Sequence, residues 1–401
     1  MGKGQNVKQY DVVIAGGAMV GACLAIALDE LTQHQLHIAV VEAVAADQYG
    51  HPGYDARSIA LSHGTSRLLD SIQLWPALSS VATAIEHIHV SDRGHAGMVE
   101  LSAQQLAVDA LGYVIELAAA GEIFHHQLVT RPQIDLFCPA KVEHIERTQT
   151  EALVRLNTGK RLRTKLVVAA DGALSHCCDL LHIGRDEHDF EQVAIIANIT
   201  TSEPHQGQAF ERFTQHGPVA LLPMSQGRSS LVWCVEPHQQ ARIMALTESQ
   251  FLAELQAVFG WRLGALTMAG KRHCYPLILR QAQRLVSHRT AVIGNAAQTL
   301  HPIAGQGFNL GLRDVMTLAE EIAAGVKRGA DIGLPTVLGR YRDRRLPDRQ
   351  ATIAMTTGLV NLFANDNPAL VAGRNLGLMT MSLSNTLQAP LLRRAMGQVK
   401  R

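Results

Sequence analysis

Tyr10-Asp11-Val12-Val13-Ile14-Ala15-Gly16-Gly17-Ala18-Met19-Val20-Gly21 decides how the whole chain is read. The run Tyr10 to Ala15 is apolar without alternation, as in a strand buried on both faces of a parallel sheet. The glycine cluster then opens into a helix expected to run to about Leu28. A second strand is expected from Leu36 to Val41, ending at Glu42. This is a βαβ unit with an acid about twenty residues beyond the last glycine. Gly16 makes the tight turn, Gly17 follows it, and Gly21 lets the helix close on the strand. Glu42 can accept from a ribose hydroxyl. Ala18 stands where the pattern has its middle glycine, which should loosen the approach of a pyrophosphate. The unit predicts dinucleotide binding without choosing between FAD and NAD.

Asp55-Ala56-Arg57-Ser58-Ile59-Ala60-Leu61 places a guanidinium, Arg57, that suits a pyrophosphate or a flavin edge. Alternating runs from Ile85 to Leu117 predict strands of a mixed sheet, and Asn157-Thr158-Gly159-Lys160 predicts a hairpin turn. The next run, Leu166 to Ala170, ends in Asp171-Gly172-Ala173-Leu174-Ser175. Gln192 to Val235 alternates again, with Phe210, Phe213, Leu221, Leu222, Pro223, Met224 and Trp233 forming either a pocket lining or a core. Near residue 300, Ala291-Val292-Ile293 is a short strand and Leu310 to Ala324 a helix. Between them lies Gly294-Asn295-Ala296-Ala297-Gln298-Thr299-Leu300-His301-Pro302-Ile303-Ala304-Gly305-Gln306-Gly307-Phe308-Asn309. Backbone N–H groups around Gln306 and Gly307, at the positive end of the helix dipole, would face an anion.

Composition narrows the function class. The chain has 401 residues, 47% hydrophobic and 18% charged, so it forms cores rather than staying disordered. A net charge of +1 with 4% aromatic residues argues against a nucleic-acid partner. Six cysteines show no C-x-x-C pair and the 19 histidines no metal-ligand array, so no metal is expected. A reduced, cytoplasmic setting is the simplest expectation, with no signal peptide at the N-terminus and no apolar run long enough to span a bilayer. Arg340, Arg342, Arg344, Arg345 and Arg349 cluster around Pro347, and Arg374, Arg393 and Arg394 punctuate Leu370 to Met396. Two readings stand for these cations: a solvated helix face, or contact with anionic lipid headgroups peripheral to the inner membrane.

The fingerprint, the Arg57 motif, the Asp171-Gly172 turn and the loop after Gly294 occur in the order of the FAD-dependent aromatic hydroxylases. The chain resembles this superfamily, that of para-hydroxybenzoate hydroxylase, and within it the ubiquinone-biosynthesis hydroxylases. Segments His89 to Gly97, Phe210 to Pro218 and Gly373 to Leu378 extend that likeness. The resemblance implies an α/β fold, a Rossmann-like FAD-binding domain with an inserted β-sheet substrate domain and C-terminal helices. It assigns 1–80, 105–183 and 277–340 to the FAD-binding domain, 81–104 and 184–276 to the substrate domain, and 341–401 to the helical region. It further implies FAD held by Gly16, Gly17, Gly21, Glu42, Arg57, Asp171, Asn295, Pro302, Gly305, Gln306, Gly307 and Asn309. Asn295, Gln298 and Cys178 depart from the superfamily's Asp, His and Arg; the narrower branch shares the Asn.

The reaction implied is hydroxylation of a polyprenylated phenol of the 2-octaprenyl-6-methoxyphenol type through a flavin C4a-hydroperoxide. NAD(P)H visits transiently and O2 is the oxidant. Pro302 is expected where ring and flavin meet, with the backbone of Gln306 and Gly307 stabilising reduced flavin. No side chain stands out as base for the phenol proton, and His301 is as readily a structural turn residue. A lipid-borne substrate implies an apolar groove from the flavin to the surface beside the C-terminal helices, and contact with a membrane or a ubiquinone-biosynthesis complex. A flavin-linked prenyl reductase and a weakly FAD-binding scaffold subunit are the competing readings.

Overall fold

A computed structural model describes residues 7–45, 57–365, 367–382, 388, 392–393 and 396–399. Asp55 and Ala56 of the arginine motif, and Arg394, lie outside the described residues. The first sheet runs Val286–Ser287, Thr290–Val292, Arg161–Ala169, Lys8–Ala15, Ile38–Val41, Ile134–Phe137. Its central strand, Lys8–Ala15, is parallel to both neighbours, and its buried half is the apolar run that opened the sequence.

Register is the decisive feature of this sheet. Ala15 lies opposite both Val41 and Ala169, and Ala169 lies opposite Val292. Hydrogen bonds continue the ladder beyond the strand ends. Gly16 N donates to Val41 O, Ala170 N to Ala15 O, Ile293 N to Ala169 O and Glu42 N to Phe137 O, at 2.8, 2.8, 3.0 and 2.9 Å. The four chain segments therefore leave the sheet at one edge. The carboxyl edge of a parallel sheet is where ligands of open α/β folds bind.

The fingerprint helix, Met19–Leu31, is apolar all round and is buried accordingly, with Ala22 to Leu28 inaccessible to solvent. It packs closely on the long helix Gln306–Lys327, where a Cβ on Gly311 would come within 3.3 Å of the Gly294 Cα and of Val20. That long helix starts four residues before Leu310. Its first turn carries Gly307 with Gln306 and Asn309, buried but not apolar, so the apolar spacing misses it; Gly305, with φ 60°, turns the chain into it. Ala152–Leu156 and Arg161–Ala169 pair antiparallel, forming the expected hairpin.

A second sheet stands over the first. Its strand order is Gln298–Thr299, His273–Ala282, Arg185–Thr201, Arg228–Val235, Val219–Pro223, Gln208–Phe213, His87–Asp92, Met98–Ser102. Strand Ala82–Ile85 instead pairs with Gly112–Glu116 in a small third sheet, so of segment 81–104 only the two later strands join the large sheet. Strand alternation divides the large sheet's faces. Leu221, Leu231 and Trp233 form a core with Phe251, Leu255 and Phe259 of helix Glu248–Phe259. Ala220, Leu222 and Val232 line the space toward the first sheet.

The arginine cluster does not form the surface patch that its spacing suggested. Arg345 is fully buried and Arg349 nearly so, both on helix Pro335–Phe363. Arg345 bridges Asp314 and Asp348, each at 2.7 Å, and Arg313 reaches Asp348 at 2.7 Å. Gln298 donates to Asp314 at 2.8 Å and accepts from Arg349 Nε at 2.9 Å. Two carboxylates in the core between the helices are what draw the guanidinium groups inside. Arg340 and Arg342 stay exposed, and Arg344 pairs with Glu320 and Glu321. Among the described residues no helix is long and apolar enough to cross a membrane.

Removing one partner of a buried ion pair leaves the other charge uncompensated. Arg345→Met is expected to lower the unfolding free energy by about 3–5 kcal/mol in urea titration. A loss below about 1 kcal/mol, the value of an exposed pair, would show that the network does not hold the helices together.

Candidate active site

At the carboxyl edge of the first sheet the two sheets enclose a cavity of about 1580 Å3. Gly16, Glu42, Arg57, Asp171, Asn295, Pro302, Gly305, Gly307 and Asn309 line it. Segments far apart in the chain thus meet around one space. Gly17, Gly21 and Gln306 stand behind the wall. Gly17 N donates to Glu42 Oε2 at 2.7 Å, and Gln306 Nε2 donates to the Ala304 carbonyl. A side chain at Gly21 would put its Cβ 1.9 Å from Gly16 O, so this glycine serves helix packing.

Each wall residue is held by a local device. Gly16 has φ 101°, and a Cβ there would lie 2.3 Å from Ala170 O. Ala18 has φ −68°, so its methyl fits the turn without strain and the missing glycine is tolerated there. Glu42 accepts from Gly17 N and, through its other oxygen, from Val44 N at 2.9 Å. Asp171 accepts from the Ser175 hydroxyl and from Cys177 N at 2.9 Å, fixing the Asp-Gly turn. Cys178 is buried beneath that turn, with its sulfur 4.0 Å from Ala296 O. Arg57 stacks on the Tyr275 ring at 4.9 Å. Asn309 accepts from Ser62 N and the Thr65 hydroxyl and donates to Ala60 O and Gly305 O, which locks the long helix to the strand after Arg57.

Helices Met19–Leu31 and Gln306–Lys327 both begin at the cavity without a side-chain cap. Their first-turn N–H groups and positive dipole ends therefore suit anionic groups. A Cβ on Gly307 would meet nothing within 4 Å, so the space before that backbone is open.

His301 is buried, and its ring nitrogens are both engaged. Nδ1 accepts from Ile303 N at 3.3 Å and Nε2 lies 3.0 Å from Gln192 Oε1, a pairing that requires the neutral Nε2–H tautomer. Burial lowers its pKa to about 4, so it stays neutral and shapes the loop.

Sequence reasoning missed two features of the cavity. One is a clamp between strand His87–Asp92 and helix Pro368–Ser382. Arg374 Nε and Asn375 Nδ2 each reach Asp92 Oδ2 at 2.9 Å, and Asn375 Oδ1 accepts from Gly97 N at 2.9 Å. Arg374 also donates to the carbonyls of Leu362, Phe363 and Asn365. Arg374 is thus buried, not on a solvated face. The other is Glu211, on the cavity face of strand Gln208–Phe213 with Ala209 and Phe213. Its alternation with Ala209 and Phe213 marks it as sharing their face, though not which face lines the cavity.

Comparison with known proteins accords with this geometry. The model of a family described as FAD binding domain matches residues 9–356. Ubiquinone hydroxylase UbiL of Rhodospirillum rubrum is 36% identical over 397 residues, covering 99% of this chain and 92% of that protein. The 3-demethoxyubiquinol 3-hydroxylase of Escherichia coli is 30% identical over 391 residues, covering 96% and 98%. Among solved structures, p-nitrophenol 4-monooxygenase PnpA of Pseudomonas putida superposes with a TM-score of 0.81 at 19% identity, covering 98% and 99%. PqsL of Pseudomonas aeruginosa does so at 0.78 and 20%, covering 93% and 100%.

Gly16→Val is expected to abolish FAD binding, measured as loss of bound flavin absorbance, because its Cβ collides with the Ala170 carbonyl. Asn295→Asp is expected to bind FAD at least as tightly as wild type by fluorescence titration. A clear loss of affinity would mean that Asn295 does not face a ribityl hydroxyl.

Proposed function

The chain belongs to the FAD binding domain family and is an FAD-dependent monooxygenase related to the ubiquinone hydroxylases, and from that premise we propose its substrate. The protein hydroxylates the aromatic ring of a polyprenylated phenol in ubiquinone biosynthesis, using NAD(P)H and O2. The observation that carries this reading is the reach of the cavity. Besides Gly16, Glu42, Pro302, Gly307 and Glu211, its wall includes the apolar side chains of Val90, Leu101, Leu359, Leu362, Phe363 and Leu378. Leu370 and Met381 of the C-terminal helix also line it, and Leu370 is 43% exposed. Pockets for small ligands occupy roughly 300–1,000 Å3. This larger space accommodates a dinucleotide and an apolar tail together.

The residues present fit FAD. Glu42 offers a carboxylate already oriented by two amides, where an adenosine ribose is expected. The uncapped N-terminus of Met19–Leu31 suits the pyrophosphate, and the open backbone at Gly307 suits the anionic edge of a reduced flavin. FAD, when bound, supplies the activation of O2 and the transfer of one oxygen atom to the ring. The protein orients the ring and keeps out water, and the stacked rings of Phe213 and Phe363, with centroids 3.7 Å apart, form part of that apolar wall.

Delivery from a bilayer follows from the same helix. Leu370, Leu376 and Met379 are exposed on Pro368–Ser382, so apolar contact, rather than the arginine cluster, supports peripheral association with a membrane.

The test uses NAD(P)H, 18O2 and a series of methoxyphenols with prenyl tails of increasing length. One labelled oxygen in the ring and a KM that falls as the tail lengthens are expected. NAD(P)H oxidation without labelled product would contradict the assignment and favour a reductase. Leu362→Glu is expected to raise KM for long-tailed phenols at least tenfold while leaving the tail-less phenol within about twofold, as a charge buried in an apolar path is costly.

A further inference from the structure

Glu211 lines the cavity as a carboxylate among apolar neighbours. It sits mid-strand, opposite Val90 on one side and Ala220 on the other. Its side chain faces the loop that carries Pro302 and Gly307, and the backbone amide of Ala304 is its polar neighbour. Among the described residues it forms no ion pair with Arg, Lys or His. Burial pushes its carboxyl up to about 7, with the Ala304 amide only partly offsetting that rise.

The groups around it do not compete for the same task. Cys234, on strand Arg228–Val235, is near enough for Glu211 to help keep its thiol protonated, after burial itself. His301, 4.0 Å from the Cys234 sulfur, is neutral with both nitrogens engaged. Arg374, on the C-terminal helix, is committed to Asp92. Neither paired strand places a titratable residue beside Glu211: its partners there are Val90 and Ala220. A carboxylate in an apolar chamber beside the expected ring position has one strong use, as an acceptor of a proton from a bound hydroxyl.

We propose that Glu211 is the general base for the phenol. This rests on the reading of the substrate as a phenol. As the ring is attacked, the phenolic O–H bond breaks and the proton passes to a Glu211 carboxylate oxygen. The electron pair remains on the phenolic oxygen, from which it activates the ring toward oxygen insertion. The step is a proton transfer and consumes no oxidant.

The test compares FAD-loaded wild type with Glu211→Gln and Glu211→Asp. The phenol probes are a short-tailed prenylated methoxyphenol and its nitro-substituted analogue, which is already ionised at neutral pH. Wild-type kcat/KM for the ordinary phenol is expected to rise with pH through a limb near 7, since Glu211 accepts a proton only when ionised. Glu211→Gln is expected to lose that limb and at least 100-fold in product formation. It should keep its flavin spectrum and NAD(P)H-driven reduction. Glu211→Asp should restore part of the rate. With the ionised phenol, Glu211→Gln should come within about tenfold of wild type. An unchanged pH limb, or equal losses with both probes, would overturn the role of Glu211. Failure of wild type itself to hydroxylate any phenol would overturn the substrate reading instead.

Discussion

Everything in this molecule depends on the register of the parallel strands in one sheet. Because Ala15, Val41, Ala169 and Val292 end level with one another, the turns that follow are forced to a common edge. None of Gly16, Glu42, Asp171 and Asn295 has special chemistry alone. Their value lies in being adjacent, and backbone hydrogen bonds beyond the last paired residues make them so. A slip of one residue in any of these strands would turn its buried face outward, so the apolar core itself enforces the arrangement.

The second constraint is the attachment of everything else to that edge. Gln298 pairs with Gln281 at the edge of the second sheet and also bonds Asp314 and Arg349, so the loop carrying Asn295 and Pro302 is tied to both long helices. A residue that departs from the superfamily's usual His is therefore a structural joint of the site. Asp92 and Arg374 play the matching part at the far end, holding the C-terminal helix over the cavity. Buried polar groups of this kind stabilise little on balance, but they tolerate few alternative arrangements.

Much of the cofactor edge was legible in the sequence because it is built from local turn chemistry. Gly16 and Gly305 at positive φ, and the apolar run before Gly16, act over a few residues, and spacing reports such effects directly. The first turn of the long helix was missed because Gln306, Gly307 and Asn309 are polar or glycine although Gln306 and Asn309 are buried. Arg345, Arg349 and Arg374 were read as surface cations because Asp314, Gln298 and Asp92, which draw them in, lie on other elements; Asp92 is 282 residues from Arg374. The role open to Glu211 was hidden for a related reason. Only the fold shows that its side of the strand is the chamber wall.

The most direct measurement is a crystal structure of the protein soaked with FAD. The expected density has the adenosine at Glu42, the pyrophosphate before the Met19–Leu31 helix, and the ring system between Gly307 and the Glu211 side of the second sheet. A flavin ring seated away from Asp171 and Asn295, or outside the space between the two sheets, would contradict the shared edge on which the whole reading rests.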